Sequence, residues 1–137
     1  MKRILVLCTG NSCRSQMAEG YLRLFGGSEV EVHSAGIEAH GVNPRAVVAM
    51  QEDGIDISAH TSKTIDAVMN IDFDHVITVC DNARERCPYF PSRATKHHRD
   101  FPDPARATGT EEEIMNAFHR TRIMIKDHCE HFVRVIV

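Results

Sequence analysis

Missing from this sequence, first, is any apolar run long enough to cross a bilayer. A helical span needs about 20 such residues, and the longest run among these 137 residues stops far short of that. A membrane protein is therefore not expected. Excess positive charge is missing too: the formal net charge is -3, with a pI near 6.3. No global basic field exists to hold nucleic acid nonspecifically, so an anionic substrate must be held by local features. The opening Met1-Lys2-Arg3-Ile4-Leu5-Val6-Leu7-Cys8 has the basic residues and short apolar run of a signal peptide. Polar residues follow at once, without a small-residue cleavage site, and the segment reads better as a first strand. A secreted disulfide framework is equally unsupported, because the five cysteines are odd in number, widely spread and not preceded by an export signal. Catalytic or redox thiols in the cytoplasm fit better. Repeats and low-complexity segments are also absent.

What is present reads as one catalytic domain spanning residues 1–137, with 42% hydrophobic and 26% charged residues, ordinary values for a globular domain of this length. Ile4 to Cys8 predicts a strand. Met17, Ala18, Tyr21, Leu22 and Phe25 then share one side of a helix that ends at Gly26-Gly27. Val30 to Ser34 alternates as a second strand, and Asn43-Pro44 opens a second helix running toward Gly54. The β-branched run from His75 to Cys80 predicts a third, buried strand, and His97 to Phe101 a short fourth. Pro88 to Pro91 and Pro102 to Gly109 read as surface loops. A long helix from Glu111 to about His131 turns Ile114, Phe118, Ile125 and Phe132 inward. Alternating strands and helices predict an α/β fold of three layers: a mostly parallel four-stranded sheet with helices on both faces. In such sheets chemistry gathers at the strand carboxyl ends, where Cys8, Cys80 and Asp103 fall.

The loop Cys8-Thr9-Gly10-Asn11-Ser12-Cys13-Arg14-Ser15 carries the sharpest chemical signal. It sets a cysteine at a strand end and an arginine six residues on, at the opening of a helix. Backbone N–H groups of Thr9 through Arg14 can converge on a tetrahedral anion, the helix amino terminus adds positive potential, and Arg14 can clasp two oxygens. The same field would hold Cys8 as a nucleophilic thiolate. Ser15 is placed to donate to that sulfur, and Asn11 to hold a left-handed turn.

Cys8 to Gly20 resembles the signature of the low-molecular-weight tyrosine phosphatase superfamily. Within it, the chain is most similar to the thioredoxin-coupled arsenate reductases, through Thr9 to Gly20, Ser34-Ala35-Gly36, His40-Gly41-Val42-Asn43-Pro44, Asp56-Ile57-Ser58, Thr78-Val79-Cys80, Cys87-Pro88 and Asp103-Pro104. Only the segment from about Asp127 lacks an evident match. The resemblance implies an oxidoreductase of arsenic detoxification, with arsenate or a phosphate-like oxyanion as substrate and no tightly bound cofactor. It implies a relay in which Cys8 attacks arsenate, Cys80 attacks Cys8 to release arsenite, and Cys87 captures Cys80. The Cys80–Cys87 disulfide would pass to thioredoxin, in preference to glutaredoxin. Such a relay needs the 80–87 segment to rearrange, since disulfide geometry is strict. Asp103 matches the general acid of the family, although an aspartate between prolines is by itself an ordinary turn former. A monomer is expected.

Some relatives bind potassium through the equivalents of Asn11, Glu19 and Ser34 with an acidic residue after a Thr-Ser pair. Here Thr61-Ser62 is followed by Lys63, whose ammonium either replaces the cation and pairs with Glu19 or is solvated, since lysines rarely bury without a partner. No metal site is expected: His128-Cys129 near His131 supplies no full ligand set, and His97-His98 reads as a solvated or strand-edge pair. Cys13 and Cys129 receive no role. Two other functions remain open. A phosphomonoester phosphatase would use Cys8, Arg14, Ser15 and Asp103 in the same way, leaving Cys80 and Cys87 idle as a core thiol and a surface thiol. A noncatalytic oxyanion sensor would explain the loop alone.

Overall fold

The computed structural model describes residues 1–81, 86 and 88–137; Asn82, Ala83, Arg84, Glu85 and Cys87 lie outside the described residues. Strands β1 (Lys2–Cys8), β2 (Val30–Gly36), β3 (His75–Thr78) and β4 (Thr95–His98) form one sheet in the order β2-β1-β3-β4. Every neighbouring pair is parallel, because the intervening segments return each strand to the same end of the sheet. The middle of β1 is apolar without alternation, the pattern of a strand covered on both faces, and it is buried from Ile4 to Cys8.

Side chains alternate along β1 and so divide between two cores. Ile4, Val6 and Cys8 belong with Met17, Tyr21 and Leu22 of α1 (Arg14–Gly26), Ala46 and Met50 of α2 (Pro44–Glu52), and Phe118, Ile125 and Phe132 of α3 (Glu111–Ile136). Leu5 and Leu7 belong with Val68 in a 3-10 turn (Ile65–Val68), Phe73, Phe90 and Ala94. Helical segments thus cover both faces, but unequally: three α-helices lie in the first core and, among the described residues, a 3-10 turn and loops in the second. Both flanking helices start at local signals. The Asn43 side chain accepts from Arg45 N ahead of Pro44, and Thr110 and Glu113 form a reciprocal capping box.

Three boundaries differ from the sequence expectation. The fourth strand is Thr95–His98 rather than 97–101, with Thr95 opposite His75. It is an edge strand with mostly exposed side chains, so it carries no apolar pattern to read, and Phe101 lies beyond it, fully buried. β3 ends at Thr78 rather than Cys80, although Val79 N still donates to Leu7 O at 2.9 Å. α3 continues past His131 to Ile136, because Phe132 and Val133 are buried against the core.

Candidate active site

Cys8 closes β1 and Arg14 opens α1, so the residues between them turn in one tight loop at the carboxyl edge of the sheet. Asn11 sits at φ 47°, a left-handed conformation that asparagine tolerates. Its buried side chain braces the turn. Nδ2 donates to Ser15 Oγ (2.8 Å) and Ser34 Oγ (2.9 Å), and Oδ1 accepts from Lys63 N (2.8 Å). Gly36, at the end of β2, lets the loop lie directly on the sheet edge: a Cβ there would stand 2.7 Å from Thr9 O and 2.8 Å from Asn11 N.

The loop's carbonyls are tied to the surrounding chain. Thr9 O accepts from Glu38 N (3.0 Å), Gly10 O from His40 N (3.0 Å), Asn11 O from Gln16 Nε2 (3.1 Å) and Ser12 O from Asn43 N (3.1 Å). In a planar trans peptide the N–H points opposite to the C=O, so the N–H groups of Gly10, Asn11, Ser12 and Cys13 are turned the other way, into the loop. The first N–H groups of α1 add to them, and the Cys13 side chain at the helix start makes no capping hydrogen bond. A nest of amide donors at a helix amino terminus is a site for a tetrahedral anion.

Inside this loop the Cys8 sulfur lies 2.8 Å from Ser15 Oγ. Because Ser15 Oγ already accepts from Asn11, its own hydrogen is available to the sulfur. Arg14 is 3% exposed. Its Nη1 donates to Phe101 O (3.2 Å), and its Nη2 is 3.7 Å from Asp103 Oδ2. Asp103 is both a turn former and a cavity residue: its Oδ1 accepts from Ala105 N (3.0 Å) to open the 3-10 turn Pro104–Arg106, while Oδ2 faces Arg14 and, at 4.0 Å, Arg106 Nε.

A cavity of about 360 Å³ brings together Cys8, Thr9, Gly10, Ser12, Cys13, Arg14 and Asp103. Of the loop residues Cys8 to Ser15, Asn11 and Ser15 do not line it; their side chains are joined to each other behind the loop. His40, Arg86 and Arg106 also line the cavity without having been singled out from the sequence. His40 reaches it because residues 38–43 run alongside the loop, a contact that no local spacing announces.

The remaining thiols divide clearly. Cys80 is fully buried two residues beyond β3, with Sγ 4.0 Å from Leu7 O. Since Leu7 pairs with Thr78, Cys8 and Cys80 stand at the ends of adjacent parallel strands. Cys87, and with it the expected rearranging segment, lies outside the described residues. Arg86, the residue before it, reaches the cavity mouth, where its carbonyl accepts from Thr9 Oγ1 at 3.4 Å. Burial pushes the Cys13 thiol up to about 12, so it stays protonated. Cys129 is a core thiol directed at Ala18 O (3.8 Å), and burial raises it as well.

The expectation for Lys63 is corrected. Glu19 Oε1 accepts from Ser34 Oγ (2.6 Å), and its Oε2 is paired with Arg23 Nη2 (2.8 Å), with His60 Nε2 at 3.7 Å. The Lys63 ammonium instead donates to Thr61 O at 3.2 Å. Arg23 stands one helical turn from Glu19 on α1 and so reaches it locally, whereas Lys63 engages this cluster through its backbone N–H.

The model of the low molecular weight phosphotyrosine protein phosphatase family matches residues 3–136. The chain belongs to this family. Among similar members, an arsenate reductase of Bacillus subtilis is 52% identical over 131 residues, 96% of this chain and 94% of that one. Arsenate reductase 1 of Staphylococcus epidermidis is 50% identical over 131 residues, covering 96% and 95% of the two chains. A solved structure described as an arsenate reductase in the phosphate binding state superposes with a TM-score of 0.85 at 32% identity, over the full length of both chains. The family fold extends further: Vibrio vulnificus Wzb in complex with benzylphosphonate shares it at a TM-score of 0.80 and 22% identity, covering 98% and 99% of the two chains.

Proposed function

We propose that this enzyme reduces arsenate to arsenite. The observation that carries the reading is the pairing of an anion-binding loop around Cys8 with a second thiol, Cys80, buried at the end of the neighbouring strand. Relatives of about half-identical sequence are arsenate reductases, and a structural relative is described in a phosphate binding state; arsenate and phosphate are close in shape and charge.

In the first step the loop amides and Arg14 hold the oxyanion, and the Cys8 thiolate attacks arsenic. A sulfur–arsenic bond forms and an arsenic–oxygen bond breaks. Hydroxide is a poor leaving group, so Asp103, on the cavity wall, supplies the proton with which it departs as water. Cys80 as thiolate then attacks the Cys8 sulfur. The electron pair of the sulfur–arsenic bond returns to arsenic, which leaves as arsenite, and a Cys8–Cys80 disulfide remains. Cys87 attacks Cys80, releasing Cys8 as thiolate and forming the Cys80–Cys87 disulfide. Reduction of that disulfide by a dithiol protein of the thioredoxin class, in the cytoplasm, closes the cycle. Glutaredoxin with glutathione is the alternative donor.

The test is arsenate-dependent NADPH oxidation with thioredoxin and thioredoxin reductase, run beside a glutathione and glutaredoxin arm. Cys87→Ser is expected to abolish steady turnover while one arsenite per enzyme is still released. Sustained turnover by that variant would overturn the relay. A phosphatase reading shares Cys8, Arg14, Ser15 and Asp103, and the family match favours some hydrolysis of phosphomonoesters. Loss of p-nitrophenyl phosphate hydrolysis in Cys8→Ser, and its survival in Cys80→Ser, would separate the two chemistries.

A further inference from the structure

His40 lines the cavity against Gly10 of the loop, and the manner in which it is held is specific. Its backbone N–H donates to Gly10 O, and Glu38 N donates to Thr9 O, both at 3.0 Å. Its imidazole lies over Gly10: a Cβ on that glycine would stand 2.4 Å from Nδ1 and 3.0 Å from Cγ and Cε1. The far side of the ring is fixed by Glu38, whose Oε2 is 2.5 Å from Nε2. Gly10 is not among the positive-φ residues. A side chain at Gly10 would therefore meet the imidazole, itself about half exposed, and would not strain the backbone. Both Gly10 and His40 border the space an oxyanion enters.

We propose that the Glu38–His40 pair is a positioning unit for the oxyanion loop. The imidazole presses on Gly10 and holds the amides that follow it at the spacing a tetrahedral anion requires, while Glu38 keeps the imidazole from rotating away. The pair acts through the loop and takes no part in the thiol chemistry. This inference goes beyond the reductase reading without depending on it, since any tetrahedral oxyanion bound by these amides is affected alike. The loop's other ties are hydrogen bonds, from the main chain and from the Asn11, Gln16 and Ser62 side chains; among the described residues, the His40 ring packs directly on the glycine that leads into the Asn11 turn.

The test is calorimetric titration of the reduced protein with inorganic phosphate, which reads the loop whether the enzyme is a reductase or a phosphatase. His40→Ala is expected to weaken phosphate binding about tenfold, and Glu38→Ala to approach it. Glu38→Gln is expected to stay near wild type because its amide oxygen still accepts from Nε2–H. Gly10→Ala is expected to lose binding more severely, since its methyl collides with the ring. The double variant G10A/H40A is expected to return to the affinity of His40→Ala alone, as the collision is gone. Thermal unfolding of each variant separates loop positioning from general loss of the fold: affinity shifts with melting temperatures near wild type support the proposal. Wild-type phosphate affinity in His40→Ala would overturn it, as would additive losses in the double variant. Losses that merely track lowered melting temperature would overturn it too. Failure of the thioredoxin assay with these affinity shifts intact would sink the reductase reading alone.

Discussion

Asn11 adopts a left-handed backbone, and its side chain meets three hydrogen-bond partners, on Ser15, Ser34 and Lys63. Asn11→Gly keeps the backbone freedom and removes all three bonds, leaving polar partners buried. A loss of about 2–4 kcal/mol is expected in urea unfolding, at about 1 kcal/mol or more for each bond, with phosphate affinity falling in parallel. Glu19 gives a second prediction at this scale. Its carboxylate is 3% exposed and is neutralised by Arg23, so Arg23→Ala is expected to destabilise by about 1 kcal/mol, moderated because half of the arginine side chain is solvated. Lys63→Ala is expected to change stability by less than about 0.5 kcal/mol. Equal losses in the two variants would restore Lys63 as the partner of Glu19.

Between β3, β4 and α3 lies a group of histidines that no local pattern in any one element reveals. His75 Nδ1 and His97 Nε2 are 3.0 Å apart, and Phe132 of α3 stands edge-on to both rings. His128 packs on Phe101 and Phe132, and its Nε2 is buried with no hydrogen-bond partner among the described residues. Burial lowers all three from the usual histidine value of 6.5. Lys2 acts in the same direction on His75 against Asp74, His75 does so on His97, and Arg99, His131 and His97 do so on His128. The folded protein therefore resists protons that the unfolded chain accepts. This contribution to stability is complete above pH 6.5 and is lost as pH falls below it. Urea midpoints measured from pH 7.5 to pH 5 are expected to decline, and His128→Leu to decline less steeply; identical slopes would refute the assignment to His128. α3 also depends on its capping box, and Thr110→Ala is expected to lower stability by about 1 kcal/mol in the same assay.

The molecule as a whole rests on one sheet dividing two cores, and the first of them carries the site. Phe118 is fully buried in that core together with residues of α1 and α2. Truncating it to alanine is expected to cost about 3–5 kcal/mol in urea unfolding. Much of this arrangement was legible beforehand. The parallel sheet followed from strands alternating with helices, and the loop followed from the interval between Cys8 and Arg14, because both are local: period, turn residues and the approach of a strand end to a helix start lie within a few positions. Edge strand β4 was misplaced since an exposed strand has no apolar face to betray it. Phe132 was expected inward and is buried, but the last turn of α3 beyond it was missed because Val133 is buried only once the sheet is assembled. The pairing of Lys63 with Glu19 failed because a charge finds its counter-ion by distance in space, and Arg23, one helical turn along α1, reaches Glu19 instead. The amino-acid order alone thus determined the tight loop between Cys8 and Arg14 and the layered α/β plan, both set by neighbours along the chain. Only the tertiary structure decided which groups face the cavity from afar, His40, Arg86 and Arg106 among them, and set Cys80 beyond the strand that neighbours the one Cys8 closes, because those placements exist only once distant strands and loops have packed.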